Sequence, residues 1–400
     1  MDTFNASNQI LFSAAEKGQT AEVLLRFVAS IGATAVHVTV GAPPLVRVDG
    51  ELRRIRDLAA AGDDRGREAA DFLSANPLWG AVVTPAAAWR AAAELFARPE
   101  QRERFEKTGI VRFVKSLPGV TRYLVTVFRQ RGNPAVVCRS LGWGVPTLED
   151  VFRHLPEARE AAERLLAAGE GLVLVAGPAG SGREATLAAV VDFINGASPR
   201  HVVTVEDPIR YLHRHGRGVV NQREVGEDVE SFESGVRSAV ESDADVIAAG
   251  DVPDAGTADA VVAAAEGGRL VLCAVRAASA EEAIGRVAGL LPESAGSGAR
   301  RRLAAVLRGV VVQKTLPANG GHGPVVTAAG VLPAVPPLKE ALLDGDAAKM
   351  AALLRSGTVE GAFPLERALA KLAASGVVDR AEAESRAGDA ELFWRFLKLY

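Results

Sequence analysis

The residues with the clearest chemical pattern are Gly177, Pro178, Ala179, Gly180, Ser181, Gly182, Arg183, Glu184, Ala185 and Thr186. The apolar run Leu172-Val173-Leu174-Val175 leads into them. Behind them Leu187, Val190, Val191 and Ile194 fall at i, i+3, i+4 and i+7, which predicts one apolar helix face, and Asn195-Gly196 predicts its end. Strand, glycine loop and helix in this order form a phosphate cradle, because loop N–H groups and the positive helix end converge on one anion. The common pattern is G-x-x-x-x-G-K-[ST], where the Lys reaches the outer phosphates and the hydroxyl holds Mg²⁺. Here Arg183 and Glu184 stand in the last two places. A planar guanidinium does not substitute freely for a compact ammonium. A carboxylate at a helix N-terminus gains from the dipole, and there it competes with phosphate for the same field.

Other candidates are weaker. His37 sits in the alternating run Val36 to Val40, with no second His, Cys or paired carboxylate at ligand spacing, and reads as a structural histidine. Cys138 and Cys273 are the two cysteines, too few for a disulfide framework. Each lies in an apolar run and reads as a buried thiol of a reducing compartment.

The cradle needs a sheet to hold it. Strands are expected at Val202–Val205, Val246–Ala249 and Leu270–Val275, with helices between them at Ser231–Val240, Thr257–Glu266 and Glu281–Leu290. Alternating strand and helix predicts a mainly parallel sheet covered on both faces. Upstream, Ala21–Ser30 reads as a helix, and Asp49-Gly50 between two short strand runs is a hairpin signal. Residues 57–80 are rich in Ala and Arg and suggest a surface insertion. Ala86–Phe105 reads as one helix. Val111–Val114, Tyr123–Phe128 and Ala135–Cys138 read as strands that complete a small α+β domain. After a linker opening at Trp143, a capped helix interrupted at Pro156 runs to Leu166. In the tail, Leu365, Ala368, Leu369 and Leu372 form one apolar stripe, and Leu392, Phe393, Phe396, Leu397 and Tyr400 form another, expected to pack on their own domain.

With 400 residues there is room for two or three domains. Net charge is −3, from 46 basic and 49 acidic residues. That balance gives no general attraction to nucleic acid or to an anionic membrane. The amino terminus lacks a signal-peptide pattern, and no apolar run reaches membrane-spanning length. The expectation is a cytoplasmic protein without nucleic-acid partners or direct membrane insertion.

The sequence resembles the PilT/GspE family of secretion ATPases, nearest to the twitching-motility motors of type IV pili. In the first half the resemblance rests on VHVTVGAPPLVRVDGELRRI (36–55), EQRERFE (100–106) and RYLVTVF (122–128). In the second it rests on GLVLVAGPAGSG (171–182), TVEDPIRYLH (204–213), VNQREVG (220–226), DADVIAAGDVPD (243–254) and AAEGGRLVLCAVRAASAEEAIGRV (264–287). It implies a PAS-like α+β domain over 1–142, a RecA-like P-loop domain over 143–335, and a helical segment over 336–400 packed on the second domain. It also implies ATP and Mg²⁺ as cofactors, a homo-hexamer or a mixed ring with a paralogous pilus ATPase, and an inner-membrane platform protein as partner, with peripheral membrane placement through that partner.

By the same resemblance, Glu206, Asp207, Asp251 and Arg237 occupy catalytic positions. Residues 177–186 and Arg122 occupy nucleotide-binding positions, and Glu184 and Asp251 occupy metal positions. Departures from the family pattern cluster at the chemistry. Arg183 replaces the Walker A Lys, Glu184 the Mg²⁺ hydroxyl and Asp251 the Walker B Glu. Pro253 replaces a later Arg, Arg269 and Arg276 the two His-box histidines, Arg210 the later acid of the Asp box, and Leu124 the second arginine of the first domain. Phosphoryl transfer depends on positioning and charge stabilisation, so changing these groups together predicts impaired hydrolysis and a structural or regulatory role. The alternatives are an active retraction motor with an altered site, and a phosphate- or nucleotide-sensing module without turnover.

Overall fold

The computed structural model describes residues 20–141, 144–291, 297–319, 325–355 and 359–400. Two compact units divide the chain, Met1–Trp143 and Gly144–Tyr400.

The first unit is built on an antiparallel sheet of six strands: β1 (Ala35–Val38), β2 (Leu45–Val48), β3 (Glu51–Arg54), β4 (Ile110–Leu117), β5 (Thr121–Gln130) and β6 (Asn133–Ser140), in the order β3-β2-β1-β6-β5-β4. Asp49 and Gly50 turn β2 into β3 with φ of 49° and 85°, as the Asp-Gly signal predicts. The helix Ala21–Ser30 lies against this sheet's core through Leu24, Leu25, Phe27 and Val28.

Two expectations fail here. Residues 57–80 are no surface insertion. They form the helix Asp64–Ala75 and a 3-10 turn at Pro77–Gly80, and the Phe72 ring stacks on Phe27 at 4.0 Å while Trp79 is buried. Large apolar residues are few in the segment, but Leu58, Phe72 and Trp79 all point inward. The single helix expected over Ala86–Phe105 is two, Pro85–Leu95 and Pro99–Thr108. Pro99 cannot donate its backbone nitrogen, and the residue before a proline avoids helical backbone, so a new helix starts there. His37 sits half-buried on β1, and burial, followed by Arg47 and Arg139, lowers its pKa.

The second unit carries a seven-stranded sheet: β7 (Gly171–Gly177), β8 (His201–Glu206), β9 (Val219–Glu224), β10 (Val246–Ala249), β11 (Leu270–Arg276), β12 (Leu307–Leu316) and β13 (Val326–Pro333). Its order is β13-β12-β7-β11-β10-β8-β9. All pairs are parallel except β12 with β13. Every residue of β7 and β10 is buried, the mark of central parallel strands covered on both faces. The strand–helix alternation therefore holds, and β9, β12 and β13 extend it. The tail helices Leu365–Ala374 and Ala390–Leu397 join this unit's core through Leu365, Leu369, Leu372, Phe393 and Phe396. Tyr400 remains half-exposed, its hydroxyl accepting from Arg367 Nε at 3.0 Å.

No helix among the described residues is long and apolar enough to cross a membrane. Both cysteines are buried, and burial raises both thiol pKa values, that of Cys138 to about 12.

Candidate phosphate-binding site

The cradle forms where the sequence places it. β7 ends at Gly177, the loop turns through Gly180 and Gly182 (both φ 81°), and the helix Arg183–Ala197 begins directly behind. Asn195 and Gly196 fall in its last turn rather than after it. Gly177 is obligatory: a Cβ there would meet Ser181 Oγ at 2.2 Å and the Gln313 carbonyl at 2.7 Å. Gly182 caps the helix without any side-chain acceptor. The first-turn N–H groups thus have no capping oxygen from the chain, and such orphan donors suit an anion.

Arg183 is 5% exposed, and its Nη1 is buried with no hydrogen-bond partner. Burial lowers its pKa; Glu184 and Asp251 oppose that shift, while Arg276 and Arg210 add to it. Three guanidiniums, those of Arg183, Arg210 and Arg276, thus share one electrostatic neighbourhood with two carboxylates. Glu184 is met by Arg210, with Oε1 to Nη2 at 3.7 Å. Thr186 is buried, and its Oγ1 and that of Ser181 (Oγ) lack partners.

The acidic positions lie at the same carboxyl edge of the sheet. Glu206 ends β8, and its Oε1 accepts from Thr204 Oγ1 at 2.7 Å and Gln222 Nε2 at 3.0 Å. Asp207 follows, joined to Pro208 by a cis peptide bond. Asp251 stands two residues beyond β10 and accepts from the Val252 N–H at 2.9 Å.

A phosphate fits this arrangement, since open N–H donors and an unpartnered buried guanidinium N–H both seek an acceptor. Mg²⁺ fits poorly. The hydroxyl it would use is missing, and the carboxylate in that place is already held by a cation.

Residues 145–322 match the model of the family described as type II/IV secretion system protein. The type IV pilus retraction ATPase PilT of Pseudomonas aeruginosa is 31% identical over 92% of this chain and 98% of its own length. This chain belongs to the PilT/GspE family. The type IV pilus ATPase PilU of the same organism is 27% identical over 94% of this chain and 91% of its own. The crystal structure of the pilus retraction motor PilT with bound ADP superposes with a TM-score of 0.76 at 28% identity, covering 96% of this chain and 99% of that one. The Legionella pneumophila ATPase DotB shares the fold, with a TM-score of 0.70 at 19% identity over 92% of this chain and 95% of its own.

The family's remaining positions divide between site and periphery. Arg276 ends β11 in register with Gly177 and so lies beside the loop. Arg269 precedes β11, at the opposite edge of the sheet, and donates to the carbonyls of Gly267 at 3.2 Å and Val240 at 3.4 Å. The two His-box arginines therefore do not act on one ligand within this unit. Arg237 is engaged in an ion-pair cluster, with Glu233 at 2.9 Å and Asp259 at 3.2 Å; Arg302 binds the same Asp259 at 2.8 Å. Arg223 holds Ser238 Oγ at 2.5 Å. Arg122 lies half-buried on β5 of the first unit, its carbonyl accepting from the Leu141 N–H at 2.8 Å.

Two residues at the loop have no counterpart in the sequence reading. Gln313 and Thr315, both on β12, reach it from the neighbouring strand. Their signal was an apolar run, Val310-Val311-Val312, followed by the polar residues Gln313, Lys314 and Thr315.

Proposed function

We propose that this chain is a PilT-like subunit of a type IV pilus or type II secretion-type machine that binds nucleotide phosphate, hydrolyses it poorly and acts structurally or as a regulator. The observation that carries the reading is the Glu184–Arg210 pair at the Mg²⁺ position. A metal-bridged β,γ-phosphate normally supplies the charge stabilisation of phosphoryl transfer. Here a carboxylate and a guanidinium occupy that role's place. Arg183 retains a donor for phosphate, which supports binding over loss of the ligand altogether.

By family analogy the working form is a ring, either a homo-hexamer or a mixed ring with an active paralogous pilus ATPase, on the cytoplasmic side of the inner membrane and docked on a platform protein. The test is an ATP titration with and without Mg²⁺, together with steady-state phosphate release. The expected result is binding that Mg²⁺ hardly changes and release near background. Motor-like release that depends on Mg²⁺ overturns the proposal in favour of an active retraction motor. Co-purification with a paralogous ATPase, with light scattering across a concentration series, tests the ring.

A further inference from the structure

The cradle works only if its peptide planes face the right way, and two β12 side chains bear on that. Gln313 Nε2 donates to the Ser181 carbonyl at 2.6 Å. Thr315 Oγ1 donates to the Gly180 carbonyl at 3.0 Å. In a trans peptide the C=O and the next N–H point in opposite directions. Drawing the Ser181 carbonyl toward β12 therefore turns the Gly182 N–H away from β12, toward the open side of the loop. The Ser181 N–H of the preceding peptide is used inside the loop, on the Pro178 carbonyl at 3.2 Å.

Gln313 is 1% exposed, and only its NH₂ can face a carbonyl, so the amide orientation is determined. Its Oε1 is left buried without a partner, a costly arrangement for an amide with no other task. Gly182 has φ 81°, a conformation that favours glycine, and a Cβ there would lie in ordinary contact with Gln313 Nε2 at 3.4 Å.

We infer that Gln313 and Thr315 are positioning residues for phosphate: Gln313 pre-sets the Gly182 N–H by pinning the Ser181 carbonyl, and Thr315 pins the Gly180 carbonyl and so fixes the preceding peptide on which that plane is built. This rests on the phosphate-binding reading above. The contacts cross from β12 to the loop, over 132 and 135 positions of sequence. Because they act on the loop backbone alone, they bear on the phosphate part of a nucleotide and not on its nucleoside.

The experiment uses the full chain with Thr315→Val, Thr315→Ser and Gln313→Met. ATP, ADP and adenosine are titrated against each, beside thermal melts. Loss of one such hydrogen bond weakens phosphate binding by about 3- to 10-fold. The expected result is that loss for ATP and ADP in Thr315→Val and Gln313→Met, unchanged adenosine binding, and recovery in Thr315→Ser. Unchanged ATP affinity in both variants, or an equal fall for ATP and adenosine, overturns the inference. Should the parent bind no nucleotide, the proposed function fails, and the inference is decided by amide hydrogen exchange over residues 178–183. Faster exchange there in Thr315→Val supports it, and unchanged exchange overturns it.

Discussion

Glu184 Oε1 lies 3.7 Å from Arg210 Nη2, so two positions that depart from the family pattern meet across the mouth of the loop. One carries an acid where the family has a hydroxyl, and the other a cation where it has an acid. Each side chain is about one-third exposed, and such pairs stabilise a fold by less than about 1 kcal/mol. The effect on an incoming anion is different in kind. Arg210→Ala leaves Glu184 uncompensated beside the phosphate position, and ATP affinity should fall. Glu184→Ala removes the competing charge, and affinity should rise. In the Glu184→Ala background Arg210→Ala should cost less affinity than it does in the parent, because no uncompensated carboxylate is left behind. A double-mutant cycle on ATP affinity checks this, and additive single effects would show that the two do not act as a pair.

Residues 57–80 give a prediction about stability rather than ligand. The Phe72 ring stacks on Phe27 with planes 10° apart. Phe72→Ala should cost about 3–5 kcal/mol in chemical denaturation, the range for emptying a buried aromatic site. A loss within about 0.5 kcal/mol, the size expected of a surface position, would return this segment to the periphery.

Two carboxylates should give opposite pH dependences. Hydrogen bonds from Arg302, then from Arg237, hold Asp259 below its ordinary range despite partial burial. Its contribution is therefore present above the unfolded pKa of about 3.9 and lost as pH falls through the lower folded value. Glu366 behaves the other way. Burial raises its pKa, outweighing backbone hydrogen bonds and Lys314. Its contribution is full below about pH 4.3 and is lost as pH rises through the folded value. Glu366→Gln removes that titration, so its Tm gain over the parent should grow between pH 4 and pH 8. Melting curves that track the parent at every pH would contradict this. Arg302→Gln should instead flatten the acid limb below about pH 4.

The parts legible in the sequence were those with local periodicity. The glycine spacing of residues 177–182 and the apolar stripe behind them gave strand, loop and helix, because both signals arise within one turn of chain. Positions 57–80 were not legible, since the large apolar residues Leu58, Phe72, Leu73, Leu78 and Trp79 follow no single helix or strand period. The break at Pro99 was hidden by strong helix formers on either side, Ala before it and Glu, Gln and Arg after it. Gln313 and Thr315 were out of reach for another reason: their partners lie on a different strand, and nothing local says which loop a polar strand residue will meet. Arg269 and Arg276 share a motif seven residues apart, but a seven-residue strand carries them to opposite edges of the sheet.

The last prediction concerns Arg183 and Glu184 together. Glu184 gains from the helix N-terminus and from Arg210, and nucleotide must compete with both. Arg183 is buried, so a Lys there changes shape and reach rather than charge. A charge-assisted contact is worth about 1.5–3 kcal/mol, or roughly one to two decades in affinity. Glu184→Ser should tighten ATP binding within that range, and Arg183→Lys alone should change it less, because the acid remains. The double variant should bind better than either single, since both positions act on one anion. Turnover should stay low even so. Asp251 is one methylene shorter than the family's Glu, and Arg276 still stands beside the loop in place of a histidine. ATP affinity and steady-state phosphate release for the parent, both singles and the double decide the matter. A double variant that binds no better than its parent would mean that the altered pair does not limit nucleotide binding. One that turns over at a motor-like rate would mean that Asp251 and Arg276 are no obstacle to hydrolysis.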